Sequence, residues 1–141
     1  MRYRITKGLE KNPLAAEIRK RVFIEEQGFR NEFDEIDKNA WHIVIYVKDK
    51  PAATGRMFYD ENGSVHIGRI AVLKDYRGKS AGTCVMSVLE KKAADMGSKT
   101  VELSAQVRIA DFYTSMGYKP VGDIYSDEGC PHIKMIKKLA V

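Results

Sequence analysis

Apolar residues alternate with polar ones over Arg2–Thr6, the two-residue period of a short strand, and then change to helical spacing at Leu14, Ile18, Val22 and Phe23. With Pro13 at its start, this second pattern predicts an amphipathic helix ending near Gly28. Phe29–Asn39 is rich in Asp, Glu and Asn and reads as a loop, with Phe33 and Ile36 as its apolar anchors. Strands are predicted over Trp41–Lys48 and Ala52–Tyr59, joined at Asp49-Lys50-Pro51, and the turn residues Asp60-Glu61-Asn62-Gly63 lead into a strand Ser64–Leu73. Val85, Met86, Leu89, Ala93 and Met96 mark a helix from Ala81 to Met96, capped by Gly97. Thr100–Ala105 reads as a strand, Ile109–Met116 as a helix capped by Gly117, and Tyr118–Tyr125 and His132–Leu139 as two closing strands. The predicted order is βαβββαβαββ, an antiparallel meander followed by strand, helix, strand.

Composition adds little to this picture but excludes several classes. The 141 residues, 44% apolar and 30% charged, suit one globular domain over 1–141. Apolar runs such as Ile43–Val47 and Ile70–Leu73 are too short to span a bilayer, and Met1–Lys20 is too charged for a secretory signal, so a soluble cytoplasmic protein without a membrane partner is expected. Cys84 and Cys130 lack ligand spacing, and neither a metal nor a disulfide is expected. The net charge of +5 suits a phosphate-bearing partner. The basic residues are scattered from Arg2 to Lys138 rather than interleaved with aromatics, which argues against nucleic acid.

The chemistry concentrates where the strand Ser64–Leu73 runs through Lys74-Asp75-Tyr76 into Arg77-Gly78-Lys79-Ser80-Ala81-Gly82 and then a helix. A helix start offers unpaired backbone N–H groups and a positive dipole end, Gly78 and Gly82 allow close approach, and Arg77 and Lys79 add charge, so a pyrophosphate is a natural guest. Gly78-Lys79-Ser80 copies the tail of a P-loop, yet Leu73 stands where that motif needs its first glycine, and no GxGxxG is present.

Arg77-Gly78-Lys79-Ser80-Ala81-Gly82 resembles the pyrophosphate loop of the GNAT N-acetyltransferase superfamily, Arg/Gln-x-x-Gly-x-Gly/Ala, departing from it at Ser80. Ala105-Gln106, Phe112-Tyr113 and Met116-Gly117-Tyr118 look like that family's later strand-helix segment. Glu25-Glu26-Gln27, Glu32–Asp37, Trp41-His42, Arg69–Val72 and Asp127–His132 resemble its ElaA-like branch. The resemblance implies an α/β fold: a mostly antiparallel central sheet, splayed between two central strands and flanked by helices. It also implies acetyl transfer from acetyl-coenzyme A directly to an amine of a small molecule or peptide.

On that resemblance, the backbone of Ile70, Ala71 and Val72 would hold the pantetheine arm, and Arg77, Gly78, Lys79, Ser80, Ala81, Gly82 and Thr83 the pyrophosphate, with Gln106 also at the cofactor. Tyr113 would contact the cofactor and protonate the departing thiolate. A protonated amine also needs a base, for which Glu26, Asp34, Asp37, His66 and His132 are candidates and His132 is preferred. Glu32, Asp34 and Asp37 could attract a cationic substrate, against a reading as a merely solvated acidic loop. His42 and His66 fall in strands and could equally be structural. A non-catalytic acyl-coenzyme A sensor is the alternative, and exposed terminal strands are compatible with a homodimer.

Overall fold

The computed structural model describes residues 1–139; the last two positions of the domain expected over 1–141 lie outside the described residues. The elements are β1 (Arg2–Lys7), α1 (Pro13–Arg19), β2 (Trp41–Val47), β3 (Lys50–Tyr59), β4 (Val65–Val72), α2 (Ala81–Asp95), β5 (Thr100–Gln106), α3 (Ala110–Ser115), β6 (Lys119–Asp127) and β7 (Cys130–Lys138), in the expected order. Among the described residues the strands form one seven-stranded sheet in the order β1-β2-β3-β4-β5-β7-β6. Pairs β1–β2, β2–β3, β5–β7 and β6–β7 are antiparallel, and β4–β5 is parallel. This is the mixed, mostly antiparallel architecture expected. The β4–β5 ladder consists of Val65↔Val101 and His66↔Glu102, at the beginning of both strands. The chain forms two compact units, Met1–Phe58 with Ile67–Lys91, and Tyr59–His66 with the chain from Lys92 onward.

In the first unit α1 and the turn after it bury Ala15, Ile18, Val22 and Phe23 with Val44 and Ala71, flanked by Leu9, Phe29, Tyr46 and Leu73. Leu14, expected on this face, is 40% exposed; Ala15 takes the inward position instead. Over Lys20–Glu26 the helix widens into a π-turn, in which Gln27 N–H donates to Val22 O at 3.0 Å. The segment read as a loop contains a 3₁₀ turn, Glu35–Lys38, with Asp34 and Asp37 capping it reciprocally. Phe33 and Ile36 are 42% and 39% exposed, so they do not anchor it.

The β2–β3 turn is Lys48–Asp49, both left-handed (φ 50° and 65°), and Lys50 and Pro51 already belong to β3 rather than to the turn. Paired left-handed residues match the twist of a hairpin, whereas the proline had suggested a turn one step later. Ile43, Val44 and Ile45 of β2 and Ala52, Ala53 and Met57 of β3 are fully buried. Across from them, Val85, Met86 and Leu89 of α2 are also fully buried, while Met96, beyond the helix end, is 44% exposed and outside the core.

In the second unit α3 ends as predicted at Gly117 (φ 97°), where Tyr118 N–H donates to Tyr113 O at 3.0 Å. Tyr113 and Tyr118 are buried, their rings edge-on at 5.9 Å. β6 is exposed at every residue and irregular between Val121 and Tyr125. Among the described residues no helix is long and apolar enough to cross a membrane.

Candidate functional site

The basic loop lies in the first unit. Leu73 N–H donates to Ala52 O at 2.9 Å, tying the end of β4 to β3, and a 3₁₀ turn over Lys74–Tyr76 then swings the chain toward α2. Gly78 (φ 77°) and Ser80 (φ 65°) are both left-handed, and Cys84 N–H donates to Ser80 O at 3.0 Å to start the helical ladder. Arg77 through Ser80 are exposed, Ala81 is buried, Gly82 is half-buried and Thr83 faces outward. A Cβ added at Gly78 would meet nothing within 4 Å, so it is the backbone angle that requires glycine there.

Arg77 is firmly held. Its Nε donates to Val72 O at 3.0 Å, and Nη1 and Nη2 donate to the two carboxylate oxygens of Glu26 at 2.7 and 2.6 Å. That bidentate carboxylate raises the guanidinium pKa further. Glu26, expected as a catalytic residue, therefore serves first as the partner of Arg77, and the Val72 carbonyl is engaged by the same side chain. Lys79 lies over the Tyr76 ring at 5.8 Å. Within β4, Arg69 is left-handed (φ 52°), which interrupts the pleat just before Ile70, Ala71 and Val72.

Within the acidic segment Glu35 is solvated, with its side chain 87% exposed, but three other acids are held by arginines. Arg19, fully buried, donates to Glu32 Oε2 and Asp37 Oδ1, both at 2.7 Å, and to the Glu32 carbonyl at 3.0 Å. Arg56 donates to Asp34 Oδ1 at 2.8 Å and Asp37 Oδ1 at 2.9 Å, and Arg69 lies 3.1 Å from Glu32 Oε2. Three guanidinium groups thus neutralise three carboxylates, and Glu32 and Asp37 are 5% and 4% exposed. Of the groups expected to draw in a cationic substrate, Glu32 and Asp37 are therefore buried and paired internally, while Asp34, paired with Arg56, keeps a side chain 35% exposed. Asp37 is held at a pKa of about 2; burial opposes this, but the Arg19 hydrogen bond and the Asp34 N–H outweigh it. His42 is fully buried and donates from Nε2 to Asp37 O at 3.0 Å, and burial lowers its pKa, so it is a neutral structural residue.

The second unit brings Gln106 and His132 together as partners across β5 and β7. His132 Nδ1 lies 2.8 Å from Cys130 O. A carbonyl can only accept, so Nδ1 carries the hydrogen and the neutral ring keeps its lone pair on Nε2, as a base requires. Tyr125 stacks on His132 at 6.1 Å, and its hydroxyl meets Ser104. Gln106 Oε1 accepts from Arg108 Nε at 2.9 Å. Tyr113 is 6% exposed, and burial pushes its pKa up to about 12, which keeps the phenol protonated. His66, the remaining candidate base, is instead bound to Asp60 and Glu102. Sequence reading missed Arg19, Arg56 and Arg69; their signal was a charge embedded among apolar positions of α1, β3 and β4.

Residues 10–139 match the family model of the acetyltransferase (GNAT) domain. The Bacillus subtilis protein YjcF, an uncharacterized N-acetyltransferase, is 36% identical over 94% of this chain and 96% of its own. Escherichia coli ElaA is 32% identical over 87% of this chain and 84% of its own. Its crystal structure superposes with a TM-score of 0.84 at 28% identity, covering 97% of this chain and 99% of the other. An aminoglycoside 6'-N-acetyltransferase complexed with coenzyme A shares the fold at a TM-score of 0.73 and 16% identity, over 98% of each chain.

Proposed function

Because the chain belongs to the GNAT acetyltransferase family, we propose that it is a cytoplasmic enzyme moving an acetyl group from acetyl-coenzyme A directly to an amine, both substrates being bound together. The observation that carries this is the Arg77–Gly82 loop. Its left-handed Gly78 and Ser80 bend the chain into the start of α2 beside two cationic side chains, which is the donor set a pyrophosphate fits. Gly78, Lys79, Ser80, Ala81, Gly82 and Thr83 would offer backbone N–H groups, with Arg77 and Lys79 supplying charge. The backbone of Ile70, Ala71 and Val72 would align the pantetheine arm as a strand aligns its neighbour, with Gln106 as a further contact.

His132 takes a proton from the incoming ammonium at Nε2, the nitrogen its Cys130 hydrogen bond leaves open. Tyr113 donates a hydrogen bond to the sulfur as the C–S bond breaks. Its pKa of about 12 keeps the phenol protonated until the sulfur leaves; its hydrogen then passes to the thiolate, and a proton lost by the nitrogen restores the phenol. Of the two protons an ammonium loses in becoming an amide, one ends on the coenzyme A sulfur and one in solvent. The solvent-exposed β6 edge supports a homodimer.

Calorimetric titration with acetyl-coenzyme A tests the reading. The parent should bind, and the Arg77→Ala, Lys79→Ala variant more weakly; no binding by the parent overturns it. On an amine panel, Tyr113→Phe should keep that affinity and lose about 100-fold in turnover. Binding without turnover of any amine would establish a sensor instead.

A further inference from the structure

Three potential ligand atoms converge in the second unit, where β3 turns into β4. Asp60 Oδ1 accepts the backbone N–H groups of Asn62 and Ser64 at 2.9 and 3.0 Å, which fixes the carboxylate and aims Oδ2 at His66 Nε2, 2.8 Å away. Glu102, the ladder partner of His66, brings Oε1 to 2.9 Å from the same nitrogen and pairs Oε2 with Lys134 Nζ at 2.9 Å. The three atoms lie within 4.8 Å of one another, and the side chains are partly buried.

A single imidazole nitrogen presents either one hydrogen or one lone pair. With a hydrogen, two carboxylate oxygens must share it; with a lone pair, three electron-rich atoms face each other and call for a cation. We propose that Asp60, His66 and Glu102 form a binding site for a divalent cation of the zinc class. One imidazole nitrogen with two carboxylate oxygens suits zinc better than magnesium, which prefers oxygen alone and keeps its water. The two carboxylates balance the charge of the ion. The oxygens not facing it are already restrained, by the turn N–H groups at Asp60 and by Lys134 at Glu102, as the outer partners of metal ligands commonly are. Lys134 also sets a positive charge beside the site, which limits affinity. Since His66 and Glu102 face each other across the parallel ladder, the ion would cross-link β4 and β5 where they pair.

The test is calorimetry and thermal unfolding with Zn²⁺ alone, and with Mg²⁺ for comparison, on the parent and on Asp60→Asn and Glu102→Gln. Asp60→Asn is chosen because its amide oxygen can still accept the two turn N–H groups while the charged ligand is gone. The expected result is one Zn²⁺ per chain, a rise in Tm with Zn²⁺ but not Mg²⁺, and about tenfold or greater loss of affinity in each variant. If one variant fails to fold, the other decides. No Zn²⁺ binding by the parent would leave an ion-pair cluster only and overturn the proposal. Equal binding by parent and folded variants, pointing to a site elsewhere such as the cysteines, would overturn it too.

Discussion

Ser80 holds a backbone conformation that an L-residue with a Cβ adopts at a cost of roughly 1–2 kcal/mol. The resembling family loop has glycine there. Ser80→Gly should therefore stabilise the chain by about 1 kcal/mol in urea unfolding, unless unfolded-state entropy takes part of the gain. A destabilised variant would mean that the hydroxyl makes a contact worth more than the strain. This loop was legible because its chemistry is contiguous in sequence. Arg19 was not: beside Ile18 in an amphipathic helix a guanidinium reads as solvent-facing, and its carboxylate partners lie 13 and 18 residues away. Spacing along a chain carries no sign of such a pairing.

At the scale of elements, the approach of α2 to the sheet depends on Gly55 in β3. A Cβ there would stand 2.5 Å from Val85 Cγ1 and 2.7 Å from Ile70 Cδ1, closer than real contacts allow. Gly55→Ala is expected to cost about 1–3 kcal/mol by overpacking, read from a urea midpoint that falls with unchanged slope. Because both displaced side chains flank the Arg77–Gly82 loop in sequence, acetyl-coenzyme A affinity should fall in the same variant. Strand and helix order was legible from local periodicity, since each element buries a face of its own. What local pattern could not give was the π-turn at Lys20–Glu26, whose widened bonds serve the burial of Val22 and Phe23, and the handedness of Lys48–Asp49.

For the folded chain as a whole, the buried charge network links stability to acid. Asp37 titrates at about 2 in the fold against an ordinary 3.8, so its stabilising contribution is complete above the ordinary value and lost as pH falls through about 2. Glu32 runs the other way: burial raises its pKa, so proton uptake by the folded state favours folding as pH drops. Urea unfolding between about pH 4 and pH 2 should show declining stability in the parent and a shallower decline in Asp37→Asn, which starts from a lower plateau. Identical slopes would exclude Asp37 as the source. The sequence showed these acids and not their partners, because neutralisation is a property of four elements folded together.

The pairing of Glu26 with Arg77 changes the arithmetic of anion capture. A phosphate that takes the two Nη hydrogens now given to Glu26 must displace that resident carboxylate, so gripping the fork of the guanidinium is a substitution rather than an addition. Dissolved salt weakens the incoming pair and the outgoing pair alike. Affinity at this arginine should therefore respond to ionic strength less steeply than at an unoccupied one, and each captured anion releases a carboxylate at the end of the helical turn that carried it.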